Sequence, residues 1–137
     1  MNIPSNQEMI DLAARVWGER ELGRGNSAGS VACALLSESG KLYYGVCIDI
    51  SSGIGFCAEH SAIAAMITAG ETHILKVAAI ASGKTVLPPC GRCREFMYQI
   101  DEKNLDTTEV VLGADRSVLL RELLPHPYCE VWEPQIP

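Results

Sequence analysis

At 137 residues the chain has the length of one domain able to bury a real core, and residues 1–137 are read as a single domain. Its 47% hydrophobic and 20% charged residues are those of a soluble globular protein, which excludes a disordered or fibrous one. A formal net charge of −6 with no cluster of Lys or Arg argues against phosphate-driven binding to DNA or RNA.

In chain order, Ser5-Asn6-Gln7-Glu8 is a capping-box pattern behind a proline, and Met9, Ile10, Leu12, Ala13, Val16 and Trp17 follow at helical spacing. An amphipathic helix is predicted from about residue 6 to 22, ended by a loop carrying Gly23, Gly25 and Gly29. Val31 to Leu36 and Leu42 to Ile50, joined by Ser37-Glu38-Ser39-Gly40, read as an antiparallel hairpin. Ala58 to Ala69 is small or apolar almost all round, the pattern of a buried helix, with Gly70 placed to end it. Val77 to Ala81 is a buried strand. Pro88-Pro89 forces an extended approach to a helix from Cys90 to about Ile100. Glu109 to Leu112 and Ser117 to Leu120 are strands, and Arg121 to Leu124 is one helical turn stopped by Pro125. The order predicts a three-layer α/β/α fold: a mixed five-stranded sheet whose later strands run parallel, an N-terminal helix, and two helices carrying the motifs below.

No apolar run approaches the length of a membrane span, and Met1 to Ile10 lacks a basic region followed by an apolar one. A reducing, cytoplasmic setting is therefore expected. The six cysteines are then read as free thiols or ligands rather than as a disulfide framework.

Two stretches carry chemistry: Phe56-Cys57-Ala58-Glu59-His60 and Pro89-Cys90-Gly91-Arg92-Cys93. Each thiol falls at or near a predicted helix N-terminus, where unpaired amides and the helix dipole favour the thiolate. Cys90 and Cys93 share a first turn and can share one ion; three thiolates suit Zn²⁺ far better than Mg²⁺ or Ca²⁺. Cys33, Cys47 and Cys129 lack paired-ligand spacing, so a fourth position is left for water, whose pKa zinc lowers towards about 7. Glu59 sits beside such an ion and can carry protons between that water and a leaving group. Taken alone, Glu59 could equally be an exposed first-turn residue complementing the dipole.

The Cys-Ala-Glu triplet with Pro-Cys-Gly-Arg-Cys resembles the signature of the small, tetrameric, zinc-dependent cytidine deaminases. The resemblance runs from Val31-Ala32-Cys33-Ala34-Leu35 through Gly40, Gly45 and both motifs to Arg121-Glu122-Leu123-Leu124-Pro125. The closing run, an aromatic followed by Val131-Trp132-Glu133, is closest to blasticidin S deaminase. The resemblance implies Zn²⁺ held by Cys57, Cys90 and Cys93, and Glu59 as general acid/base. It implies hydrolytic attack at C4 of a cytosine-like ring, with Glu59 protonating N3 and then the departing amine. It also implies a homotetramer and substrate contacts at Cys47, Asp49, the backbone of Ala58 and Tyr128, the last an aromatic reaching an active site near a subunit boundary.

The chain departs from that family at four places, one of them Glu95 where the family has a glutamine. Cys47-Ile48-Asp49 stands where an Asn-x-Glu pair holds ribose, and cysteine lacks the amide's hydrogen bonds. Gly29 stands where a phenylalanine packs near the base. His60 replaces an arginine, leaving Arg94 to offset thiolate charge and His60 as a weaker thiolate donor or a ligand. His73 and His126 are read as solvated, Cys33 as core, and Cys47 as core or substrate-facing. The expected function is hydrolytic deamination of a cytosine-bearing small molecule, either cytidine or deoxycytidine or a blasticidin-type nucleoside. The alternatives are a non-catalytic structural zinc protein and a nucleic-acid deaminase.

Overall fold

A computed structural model of the chain describes residues 1–130. Ser5 caps the first helix, α1 (Asn6–Ala14): its hydroxyl accepts from the Glu8 amide at 3.1 Å, and the Glu8 carboxylate accepts from the Ser5 amide. That reciprocal pair is the predicted capping box. The helix stops well short of residue 22 because the following chain is captured by the sheet. The Trp17 indole donates to the Ser30 carbonyl at 2.9 Å and the Gly18 amide to the Gly29 carbonyl at 3.1 Å. Arg20–Gly23 then pairs, as β1, with the start of β2 (Asn26–Ser37). Sheet pairing overrides the helical spacing of the sequence here.

β2 and β3 (Leu42–Asp49) form the predicted antiparallel hairpin, in register from Leu36↔Leu42 to Ser27↔Asp49, with an irregularity between Ala28 and Ala32. The other edge of β2 pairs antiparallel with β4 (Ile74–Ala81). β4 in turn takes the two-residue β5 (Thr85–Val86) antiparallel and β6 (Glu109–Gly113) parallel, and β7 (Arg116–Leu119) closes antiparallel on β6. The sheet is mixed, as expected, but has seven strands rather than five. The two extra strands, β1 and β5, are four and two residues long, too short to show an alternating pattern. Among the described residues β4 and β6 are the one parallel pair, fewer than predicted.

Strand periodicity explains the layers. Ala32, Ala34 and Leu36 of β2 face α1, packing with Met9, Ile10, Ala13, Ala78, Ile80 and Val111. Cys33 and Leu35 face the opposite way, onto α2 (Ala58–Thr68), α3 (Gly91–Ile100), α4 (Asn104–Thr107) and α5 (Leu120–Leu123). Cys33 is thus a core residue, as expected. α2 is only half buried: Ala58, Glu59, Ala62, Ile63 and Met66 point inward, while Ala64, Ala65 and Ile67 are exposed. The reading of a helix buried all round is corrected. Gly70, at φ +91, does end it.

Gly45 sets how closely α2 lies on β3. A Cβ there would come within 2.3 Å of the Ala62 nitrogen and 2.4 Å of the Ala58 oxygen. Ser61 pins the same contact by donating to the Val46 carbonyl at 2.7 Å. Asn104, fully buried, ties α4 to its neighbours: it accepts from the Ile74 amide at 2.8 Å and donates to the carbonyls of Thr72 and Met97. No helix is long and apolar enough to cross a membrane among the described residues. The Val131-Trp132-Glu133 run lies outside the described residues.

Candidate active site

The N-termini of α2 and α3 meet at one site. Cys57 is the N-cap of α2 and Cys90 the N-cap of α3, both with extended backbone, and Cys93 lies in the first turn of α3. The sulfur of Cys90 is 3.5 Å from that of Cys57 and 3.4 Å from that of Cys93. Among the described residues these three form the one His, Cys, Asp or Glu group compact enough to hold a metal ion. Zn–S bonds of about 2.3 Å in a tetrahedron place sulfurs roughly 3.8 Å apart, close to the spacing found. The donor set and its spacing fit zinc.

His60 lies outside that group. Its Nδ1 is 3.3 Å from the Cys93 sulfur, and its ring is stacked on Phe96 with centroids 4.5 Å apart, with Phe56 at 6.3 Å on a second contact. It is placed as a hydrogen-bonding neighbour of a thiol. Arg94, expected to offset thiolate charge, is committed elsewhere: it donates to the Pro89 carbonyl at 2.7 Å and the Leu123 carbonyl at 3.0 Å. Arg94 braces the backbone of the second motif, and it is Arg92 of that motif that borders the cavity.

The thiols are not equivalent. Burial pushes the Cys57 thiol up, and burial together with the Glu59 charge pushes Cys93 far up. Cys90 alone falls below the ordinary thiol value, because hydrogen bonds from Cys93 and Arg92 amides and the neighbouring thiols outweigh burial. The expectation that a helix start would lower all three is corrected for Cys57 and Cys93, where desolvation wins. Burial also raises the Glu59 carboxyl.

A cavity of about 720 Å³ opens onto this cluster. Cys57, Cys90, Ala58 and Glu59 border it together with Cys47 and Asp49 of β3. Glu59 is only 5% exposed, so it is no solvated first-turn residue. Cys47 combines the two alternatives open in the sequence: it is 6% exposed, yet it borders the cavity. Its sulfur takes hydrogen bonds from the Val31 amide at 3.3 Å and meets the Ser30 hydroxyl at 3.2 Å, while its thiol donates to Asp49 at 3.4 Å.

Tyr128 is not brought into this cavity within the chain. It is 66% exposed, and its amide donates to Glu95 at 2.6 Å. Gly29 cannot carry a side chain at all: at φ +88, a Cβ would lie 1.9 Å from the Gly18 oxygen. His73 is not solvated as expected. Its ring, 14% exposed, bonds the Thr107 hydroxyl at 2.7 Å and lies 3.4 Å from Glu38. His126 is exposed, as expected.

Sequence reasoning missed Arg24, Asn26 and Ser30, which also border the cavity, as does Phe56 at the head of the first motif. Ser30 adjoins the strand already read from Val31. Arg24 sits in Gly23-Arg24-Gly25, where the flanking glycines marked a turn but nothing marked its destination.

Comparison with known proteins gives a consistent picture. The sequence profile of the cytidine and deoxycytidylate deaminase zinc-binding region matches residues 5–109. A cytidine deaminase of Halalkalibacterium halodurans is 33% identical over 100 residues, 69% of this chain and 74% of that protein. One from Sporosarcina psychrophila is 33% identical over 97 residues, 69% of this chain and 71% of the relative. Among solved structures, a cytidine deaminase from Burkholderia pseudomallei superposes with a TM-score of 0.70 at 23% identity, covering 91% of this chain and all of that one (100%). The Mycobacterium tuberculosis cytidine deaminase gives 0.68 at 24%, covering 90% and 94%. At that identity the structures establish the shared fold.

Proposed function

Because the chain belongs to the cytidine and deoxycytidylate deaminase zinc-binding family, we propose that it hydrolyses the exocyclic amine of a cytosine-bearing small molecule, giving the uracil ring and ammonia. The observation that carries this is a cluster of three thiols, two of which, Cys57 and Cys90, border one cavity together with a nearly buried carboxyl, Glu59.

Cys57, Cys90 and Cys93 would hold Zn²⁺, which when bound acts as a Lewis acid and brings the pKa of water to about 7. Glu59 does the proton work. It takes one proton from the attacking water as the C4–O bond forms and delivers it to ring N3, then takes the remaining C4-hydroxyl proton and passes it to the amine as the C4–N bond breaks, leaving the C4 carbonyl and ammonia. Its burial keeps bulk water from competing for that proton. The backbone at Ala58, beside Glu59 in the first turn of α2, contacts the pyrimidine edge. His60 orients the Cys93 thiol, and Arg92 places a positive charge beside the thiol cluster.

Residues 1–137 are read as one deaminase domain, assembling as a cytoplasmic homotetramer with Tyr128 near a subunit boundary. The family supports that assembly, and the exposed Ala64, Ala65 and Ile67 of α2 offer it an apolar face. Sedimentation giving a monomer would overturn it. Two substrate readings follow, ordinary cytidine or deoxycytidine and a blasticidin S-type nucleoside. Cys47 and Asp49 favour the second: the thiol is already hydrogen-bonded within the protein and offers a sugar hydroxyl little.

The test is ammonia release from a panel of cytosine nucleosides, including blasticidin S, by wild type and Glu59→Gln, with zinc measured in both. Activity in wild type, lost by about 10²- to 10⁴-fold in the variant with zinc retained, supports the enzyme. A zinc-loaded wild type that turns over nothing on the panel returns the structural-zinc reading.

A further inference from the structure

The cavity holds two cations that the reaction at the thiol cluster does not both need. Arg92 lies between two of the thiols in sequence and belongs with them. Arg24 does not: it sits on the turn between β1 and β2, away in sequence from both motifs, yet borders the same cavity.

The turn is built in an unusual way. Arg24 and Gly25 are its two residues, at φ 59 and φ 79, with Gly23 and Asn26 paired at its base. A two-residue hairpin loop with both residues left-handed favours Asn, Asp or Gly, and an arginine there holds its backbone at a local cost. Nothing in the fold repays that cost, because among the described residues Arg24 makes no ion pair. Arg15, Arg20, Lys41, Arg92 and Arg116 likewise make no ion pair among the described residues, but of these unpaired cations only Arg24 and Arg92 border the cavity.

The neighbouring wall explains what a cation there can do. Ser27, three residues beyond Arg24, pairs with Asp49, so the turn stands next to the end of β3. Asp49 is oriented by the Cys47 thiol and keeps acceptor capacity towards the cavity, suited to a hydroxyl. A cytosine ring at Glu59 therefore extends its sugar towards a carboxylate that accepts and a guanidinium that has no acceptor. The cavity's 720 Å³ lies within the range of drug-sized ligands and exceeds what a pyrimidine ring fills.

Resting on the deaminase reading above, we propose that Arg24 is a specificity-determining residue that binds an anionic group on the sugar side of the substrate, a phosphate monoester or a carboxylate. The guanidinium fork binds both groups bidentately. A net charge of −6 repels an anionic substrate at long range, and a guanidinium at the cavity offsets that repulsion locally.

The test compares kcat/KM of the zinc-loaded enzyme for cytidine, cytidine 5′-monophosphate and the 5′-carboxylate analogue of cytidine, at low and high salt. Wild type, Arg24→Lys and Arg24→Gly are measured; glycine suits a left-handed position, so that variant relaxes the turn rather than unfolding it. The expected result is a wild-type preference for one or both anions over cytidine, weakened by salt. In Arg24→Gly the anion-to-neutral ratio falls roughly 10-fold or more, chiefly through KM, with part retained in Arg24→Lys. The phosphate and carboxylate arms show which anion the site takes. A wild type that prefers cytidine, or a ratio unchanged in Arg24→Gly, overturns the assignment while leaving the deaminase intact. No turnover of any of the three compounds overturns the assignment, and the nucleoside panel that includes blasticidin S decides the deaminase reading separately.

Discussion

Single residues at this site are held by contacts that leave little freedom to substitute them. Gly29 is the plainest case, since the Gly18 carbonyl occupies the space a Cβ would need and the backbone is left-handed. Gly29→Ala is expected to cost at least about 2 kcal/mol, read as a lowered denaturant midpoint with an unchanged slope. His60 touches the thiol cluster from outside, through one 3.3 Å contact with Cys93, and stacks between two aromatic neighbours. His60→Ala should lose zinc to a competing chelator roughly 10- to 100-fold more readily than wild type. Equal retention would show that the contact is incidental. The three cysteines and Glu59 were legible in the sequence because their chemistry is written in spacing. Arg24 and Ser30 were not, since only the pairing of β1, β2 and β3 brings them to the cavity. The fate of Arg94 was illegible for a related reason: a guanidinium's partners here are carbonyls, which every residue carries.

Elements are placed by small contacts of high consequence. Gly45 lets α2 settle onto β3 so that Cys57, at the head of that helix, reaches Cys90. A methyl group there has no flexible neighbour to push aside, because its nearest atoms are backbone. Gly45→Ala should cost more than about 2 kcal/mol and also weaken zinc retention, because it moves one ligand-bearing helix relative to the other. Asn104 does a comparable task between α3, α4 and β4 by satisfying three backbone groups, those of Ile74 and Met97 in buried bonds. Asn104→Ala should cost about 3 kcal/mol or more, read in thermal unfolding, since those groups lose their partner without regaining water. The hairpin, the buried strands and the capped start of α1 were readable from periodicity and caps. β1 was not, because its four residues carry no alternation and their pairing is decided by β2.

For the whole molecule, the pH dependence of stability has an identifiable source. Burial opposes ionisation of Glu71, but hydrogen bonds from Tyr43, Ser37 and Ser39 outweigh it and hold the carboxyl at about 2, against an ordinary 4.5. A carboxyl lowered on folding stabilises fully above its unfolded value and loses that contribution as pH falls to the folded one. Stability should therefore decline between about pH 4.5 and pH 2 through this group. Glu71→Gln should be less stable at neutral pH and show a flatter decline across that window in urea unfolding. An acid limb identical to wild type would assign the decline to other carboxyls.

The unequal exposure of the three ligand thiols has a practical consequence for following the metal. Cys90 is exposed, Cys57 partly so, and Cys93 fully buried. Once a chelator strips the protein, an alkylating reagent should tag Cys90 first, Cys57 more slowly, and Cys93 only when α2 and α3 separate. Mass spectrometry of the adducts then becomes a clock with three hands: one for metal loss, one for loosening at the helix heads, and one for opening of the core.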